Sequence, residues 1–316
     1  ALGKGGAGGQ GLPKLPEGGE QALERGYAFL KKNVKEDGGI YGDGLSNYNT
    51  ALSLLAFVLR NKPEDEALIR NAAEFVQKQQ AFGMQPESLD GGIGYGPSGV
   101  SPKRMHPDLD NTLVTLEALR AAKEYRKSSE TVTSAVDKLN WEAAIAFVER
   151  CQNKPGKTAD GKVVPAQEAG GFNYYPGFSH AGEYEVEGGG KALRSSGSMS
   201  YAGLLSYIYA DLKPEDKRVK SAIDWLDKNY TLEENPGMGQ QGLYYYYHLM
   251  TKALTAAQKN TIAKDGKVVE WKRELALKIL NSQKVDGSWT NNTARFMEND
   301  PVLVTAYNLL TLQMLQ

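Results

Sequence analysis

Apolar positions along the chain fall into two alternating helical patterns. The first is an amphipathic stripe that leads into a shared ending: YAFLKKN (27–33), AEFVQKQ (73–79), IAFVERC (145–151), IDWLDKN (223–229) and LKILNSQ (277–283). Superposing these endings brings Phe29, Phe75, Phe147, Trp225 and Ile279 to one position, and Leu30, Val76, Val148, Leu226 and Leu280 to the next. Apolar residues at i, i+3 and i+4, as in Ala143, Phe147 and Val148, mark the buried face of a helix. The opposite face is charged, with Glu24, Arg25, Lys31 and Lys32 in one copy and Arg218, Lys220, Asp224 and Asp227 in another, so these helices are predicted to lie outside.

Each outer helix is followed by a turn rich in glycine or aromatic residues: DGGIYG (37–42), DGGIGYG (90–96), AGGFNYY (169–175), GQQGLYY (239–245) and DGSW (286–289). A second helix then comes each time, at about Asn47–Arg60, Asp108–Lys123, Ser198–Leu212, Gly242–Leu254 and Pro301–Leu315. Runs such as TALSLLAFVL and YAGLLSYIYA are apolar nearly all round, which predicts burial on both sides. Five outer–inner hairpins imply an all-α fold of two concentric rings of helices, an α/α toroid, because each hairpin must cover its neighbour's apolar face. Inner-to-outer links are mostly short and outer-to-inner links long, so the loops should gather at one end, a mouth where binding residues concentrate. The longest, at about 153–197, is an aromatic-rich insertion carrying Phe172, Tyr174, Tyr175, Phe178, His180 and Tyr184.

Gln283-Lys-Val-Asp-Gly287-Ser-Trp289 fits the Q-x-x-x-G-x-W core of the repeat in squalene and oxidosqualene cyclases and protein prenyltransferase β-subunits. Gln79 before Gly91–Gly92 and Asn33 before Gly38–Gly39 are looser copies. The resemblance to this superfamily covers about residues 20–316. It implies the toroid with an apolar central cavity, although the superfamily commonly has six hairpins and five are read here. The terminal glutamine is expected to bond the next turn's backbone over the tryptophan, tying repeats together.

The chain has 316 residues, 37 Lys+Arg against 38 Asp+Glu and a net charge of -1, so binding driven by phosphate neutralisation, and with it a nucleic-acid partner, is excluded. No apolar run reaches the ~20 residues of a membrane span. Residues 1–20, Gly/Pro-rich and without periodicity, read as a flexible leader, residues 21–316 as a single toroid domain, and the location as extracytoplasmic. The single Cys151 excludes a disulfide framework and a thiolate zinc site, and no metal or cofactor is expected.

His106-Pro-Asp108-Leu-Asp110-Asn111-Thr112 opens the second inner helix and resembles the D-x-D-D-T acid motif of type II terpenoid cyclases. The resemblance implies that Asp110 is the general acid, with Asp108 and His106 beside it and Asn111 where the family has a further Asp. The residues themselves also read as Asp108 capping a helix and Asp110 complementing its dipole. Polar residues stand at the same point of the other repeats: Tyr48 and Asn49, Ser198 with Tyr201, Gln240 and Gln241, and Glu298 to Asp300. Helix capping and attraction of an anionic ligand to helix N-termini both meet this pattern. The run Tyr244 to Tyr247 before His248 covers every face of its helix, supplying either packing or a cation- or sugar-binding wall. Tyr174, Tyr175 and Trp289 complete the candidate ligand contacts.

The expected function is an exported binding or assembly module whose cavity mouth suits a lipid, glycan or peptide, with self-assembly left open. Two catalytic alternatives stand beside it. One is a proton-initiated terpenoid cyclase or isomerase using Asp110; the other is a polysaccharide lyase or hydrolase using acids such as Asp110, Glu298 and Asp300.

Overall fold

The computed structural model describes residues 17–96, 105–125, 130–157, 163–187 and 190–316. The chain divides into two compact units, Ala1–Ala144 and Ile145–Gln316. The first holds α1 (Gly19–Lys32), α2 (Ser46–Arg60), α3 (Glu66–Gln77), α4 (Leu109–Glu124) and a short α5 (Glu130–Val136). α6 (Trp141–Cys151) crosses the division, and the second unit continues with α7 (Gly197–Tyr209), α8 (Lys217–Lys228), α9 (Leu243–Ala256), α10 (Trp271–Asn281) and α11 (Pro301–Leu315). The five outer–inner pairs stand in the predicted order, and among the described residues α5 is the added α-helix. Residues 1–16 of the expected leader lie outside the described residues, and α1 begins at Gly19.

Within each unit the inner helices pack on one another, α2 on α4, and α7 on α9 on α11. Template residues Phe75, Phe147, Trp225 and Ile279 are buried as the superposition predicts. Phe29 is not: it is 65% exposed, and α1 buries no residue. α1 is held at a few points, by Tyr27 Oη donating to the Ala56 carbonyl (3.2 Å) and by Arg60 paired with Glu24 (2.7 Å). The expectation that every inner helix is buried on both sides also fails at the ends of the series. Leu52 and Leu59 of α2 are exposed, and on α11 Val302 is 77% exposed beside exposed Leu309 and Leu310. A helix apolar nearly all round leaves apolar side chains in solvent wherever no other element packs on it.

A glycine in three of the turns explains how successive repeats come so close. Gly91 and Gly170 have φ of +85° and +98°, and a Cβ on either would lie 2.2 Å from a backbone oxygen of the next outer helix, Ala143 or Ser221. Gly38 (φ +88°) approaches Asn71 in the same way. The glutamine tie is present, but one residue later than the superposition places it. Gln80 Nε2 donates to the carbonyls of Gly91 (3.0 Å) and Asn140 (2.8 Å), and Gln152 Nε2 to those of Gly170 (3.2 Å) and Arg218 (3.0 Å). Gln79 turns back to Phe75 in its own helix, as Asn33 does to Phe29 and Asn229 to Trp225. The motif's own copy closes locally, with Gln283 Nε2 on the Gly287 carbonyl (2.9 Å) and buried Trp289 donating Nε1 to Ile279 (2.8 Å). Cys151 is therefore the last residue of α6, and its neighbour Gln152 carries the tie.

The insertion is built into the second unit. Trp225 Nε1 donates to the Gln167 carbonyl (3.0 Å), and the Glu168 carboxylate accepts from the Ser195 amide (2.6 Å). Short antiparallel pairs, Gly156–Lys157 with Val163–Val164 and Glu183–Glu185 with Lys191–Leu193, brace it.

Candidate functional site

The sequence candidates separate between the units. The first holds Tyr48, Asn49, His106, Asp108 and Asp110; the second holds Tyr174, Tyr175, Ser198, Tyr201, Tyr244, His248, Trp289 and Asp300.

In the first unit the acid-motif residues sit at the start of α4. Asp108 is fully buried, and its carboxylate accepts from the Asn111 amide N–H (2.8 Å) and from Asn111 Nδ2 (2.9 Å). Asn47 Nδ2 reaches Thr115 Oγ1 (3.0 Å) and Asn111 Oδ1 (3.4 Å), so α2 and α4 share one buried polar network. Thr112 Oγ1 donates to the Asp108 carbonyl (2.7 Å) and accepts from the Ile93 amide (3.0 Å). Asn111 is thus engaged with Asp108 and Asn47. Asp110 is half-buried in the first turn, where its charge complements the helix N-terminus. His106 Nδ1 lies 3.2 Å from the Pro107 carbonyl. Tyr48 packs near Tyr95, with 6.4 Å between ring centroids, and Asn49 Nδ2 donates to Gly44 (3.0 Å).

In the second unit the chain itself occupies the inner-helix N-termini that the sequence offered to an anion. At α7 the Gly197 amide donates to Pro236 (2.9 Å) and the Ser198 amide to Asn235 Oδ1 (3.0 Å), while Asn235 Nδ2 donates to Ser198 Oγ (3.2 Å). At α11 Asp300 accepts from the Val302 amide (2.8 Å). At α9 the occupant is Glu298, from the following repeat. It is fully buried and accepts from the Tyr245 amide (2.8 Å) and Asn291 Nδ2 (2.7 Å). Burial raises the Glu298 carboxyl above its ordinary value, against the pull of Asn291 and of the backbone N–H groups of Tyr245, Tyr244 and Leu243. Glu298 thus caps α9, accepting from its first-turn amide groups.

The tyrosine run serves packing between helices. Tyr244, Tyr246 and Tyr247 are buried, and Tyr246 and Tyr247 donate their hydroxyls to the carbonyls of Thr231 and Leu232. Tyr246 meets Tyr201 of α7 (5.6 Å) and Tyr245 meets Tyr307 of α11 (5.6 Å). Burial raises the Tyr201 phenol well above its ordinary range. His248 lies beside Tyr307 (5.5 Å), and burial, helped by Lys252, lowers its pKa to about 3, which keeps the imidazole neutral. Among the described residues no group of three or more His, Cys, Asp or Glu could hold a metal ion.

A further cluster among the described residues lies at the loops of the second unit, with Phe178, Arg295 and Phe296 exposed and Tyr174 buried. His180 stands at its centre, 4.3 Å from Tyr174, 5.1 Å from Phe178 and 5.9 Å from Phe296 between ring centroids. Tyr175 stacks on Phe178 at 4.9 Å and 16°. The Arg295 guanidinium lies 4.9 Å over the Phe296 ring and donates to Gln241 Oε1 (2.6 Å) and to His180 Nδ1 (3.2 Å). Because arginine only donates, that contact makes His180 Nδ1 the acceptor. Sequence reading singled out Tyr174 and Tyr175 but not Phe296 or Arg295. Arg295 lies 115 positions from His180, and no local pattern joins them.

No protein-family model matches the chain, and no curated protein matches it. Solved structures do. The fold they define is all-α and squalene-cyclase-like, the α/α toroid, and this chain has that fold. A protein from Actinoplanes matches with a TM-score of 0.52 and 16% identity over 93% of this chain and 74% of its own. An arginine-to-alanine variant of the type II terpene cyclase MstE from Scytonema, in complex with its substrate geranylgeranyl dihydroxybenzoate, matches with a TM-score of 0.51 and 15% identity, over 93% of this chain and 72% of the cyclase. At such identities the likeness is one of fold. No helix among the described residues is long and apolar enough to cross a membrane.

Proposed function

We propose that this chain works by binding rather than by catalysis: a terpene-cyclase-type helical scaffold that presents a ligand-binding surface on its loops. The observation that carries this reading is the contrast between the two candidate centres. At α4 the Asp108–Asn111 pair is tied into a buried network with Asn47 and Thr115, which is how a helix start is stabilised, and Asp110 stands in the first turn, where a carboxylate complements the helix dipole. At the loops of the second unit, Tyr174, Tyr175, Phe178 and Phe296 gather around His180 with a cation beside them, a composition suited to recognition.

Native mass spectrometry of the purified chain tests this. A retained small molecule should be lost from Tyr175→Ala with little change in thermal midpoint and from the Tyr174→Ala/Tyr175→Ala variant with a lowered midpoint, because Tyr174 is buried, and it should persist in Asp110→Asn. Turnover of an added isoprenoid by the native chain that Asp110→Asn abolishes would instead establish the cyclase reading. In the binding reading Asp110→Asn costs only about 0.5–1 kcal/mol of stability, through the helix dipole.

A further inference from the structure

We propose that the surface formed by Tyr175, Phe178, His180, Phe296 and Arg295 binds an acidic glycan, a chain of pyranose units bearing carboxylates, with the sugar faces on the aromatic rings and a carboxylate on the Arg295 guanidinium. This rests on the binding reading above and names the ligand class of that same surface.

Three features of the cluster point this way. The first is exposed aromatic area in sequence. From Tyr175 to Phe178 to His180 to Phe296 successive ring centroids lie 4.9, 5.1 and 5.9 Å apart, so the rings form one contiguous aromatic cluster. Phe178 is 38% and Phe296 45% exposed, so ring surface is available for the C–H face of a sugar to cover.

The second is an arginine oriented by neutral groups. Its two hydrogen-bond acceptors, Gln241 Oε1 and His180 Nδ1, carry no charge in that arrangement, and no carboxylate among the described residues pairs with it. The guanidinium is therefore pre-aimed, with donors left for a carboxylate, and binding one immobilises little further.

The third is backbone strain that holds the platform in place. Phe296 and Met297 are consecutive non-glycine residues in the left-handed region, at φ of 60° and 63°. Such residues are strained and persist only where their surroundings over-determine them. Here the next residue, Glu298, is anchored at the start of α9, and the Asn291 amide donates to its carbonyl (2.7 Å). Gly242 leaves room under the ring, since a Cβ there would lie 3.3 Å from Phe296. The strained turn presents Phe296 and Arg295 outward beside an insertion far away in sequence.

Calorimetric titration of the full chain with a (1→4)-linked galacturonic acid tetramer and with a neutral (1→4)-linked glucose tetramer tests the assignment. The acidic tetramer should bind, and the neutral one about tenfold or more weaker, the worth of one charge-assisted pair. Arg295→Met should bring the acidic tetramer down to the level of the neutral one, and Phe178→Ala should weaken both, with thermal midpoints near that of the native chain. Equal binding of the two tetramers, or acidic binding unchanged in Arg295→Met, overturns the glycan-carboxylate assignment while leaving the binding reading to the mass-spectrometric test. Binding of neither tetramer overturns it as well. A retained small molecule lost with Tyr174 and Tyr175 would then show that the surface serves another ligand class.

Discussion

Gly170→Ala is expected to unfold the second unit at a markedly lower temperature than the native chain, with a loss of roughly 3–5 kcal/mol. Two terms add. Gly170 has a φ of +98°, where an L side chain is strained, and the new Cβ would stand 2.2 Å from the Ser221 carbonyl oxygen and 2.9 Å from its carbon. The contacted atoms are backbone in the middle of α8, so they cannot swing aside as a side-chain tip would. Moving them means shifting a helix that also buries Val219, Ala222, Trp225 and Leu226. Against the 5–15 kcal/mol of a typical domain such a loss is large. Gly239→Ala provides the control, since Gly239 also has a positive φ (+60°) but nothing within 4 Å of the added Cβ. Urea titration should show a loss of about 1 kcal/mol for that change. Equal losses for the two variants would mean that strain in the turn, not the approach of the next repeat, requires the glycine.

The second large effect is acid lability centred on His248. Its folded-state pKa is about 3 against an ordinary 6.5, because burial and nearby Lys252 disfavour the imidazolium. The folded chain therefore binds fewer protons there than the unfolded chain between those two values. Stability from this group is complete above about 6.5 and falls as the pH drops towards 3, by up to about 1.4 kcal/mol per unit. Glu298 has the opposite sign. Its raised value favours the folded state below the ordinary carboxyl range and withdraws that contribution as the pH rises through the raised value. The two oppose one another in mildly acid solution, so the native profile alone is ambiguous. The difference between native and His248→Phe isolates the histidine, since phenylalanine keeps the ring against Tyr307 and removes the proton site. Denaturant midpoints from pH 7 to pH 4 should converge and then cross as the native chain weakens. Parallel profiles would show that His248 is not the group that titrates.

The architecture was legible because it rests on periodicity. Five endings and five apolar runs place every outer and inner helix, and α11 begins and ends where its pattern does, with Asp300 capping and Pro301 at the first position. The glutamine tie was legible in kind and misplaced by one residue. Superposing on Phe75 and Phe147 selects Gln79 and Cys151, whereas the bonds come from Gln80 and Gln152, because a helix ending fixes the face of a residue and not the direction of the chain after it. α5 was missed because Glu130–Val136 makes two turns, too few for a helical period to show.

At the candidate sites, the sequence singled out polar and aromatic stretches but not the partners that their side chains meet. The residues Asp108 to Thr112 look alike in sequence whether they hold a proton for a substrate or cap a helix; the partner that matters, Asn47, comes from another repeat. Glu298 was read as one acid among several, and its use as the cap of α9 depends on a contact across 53 positions.

From the order of residues alone follow the hairpin repeat, its outer and inner helices, the glycine turns between them and the aromatic insertion, since each is written in local spacing and in which faces must leave water. Tertiary structure alone decided which polar groups are spent on one another, which inner helices keep an uncovered side, and that Arg295 and Phe296 meet His180. Those outcomes depend on side chains brought together from distant repeats, where hydrogen-bond distance and exposure are set by the packing of whole helices rather than by any neighbour in the chain.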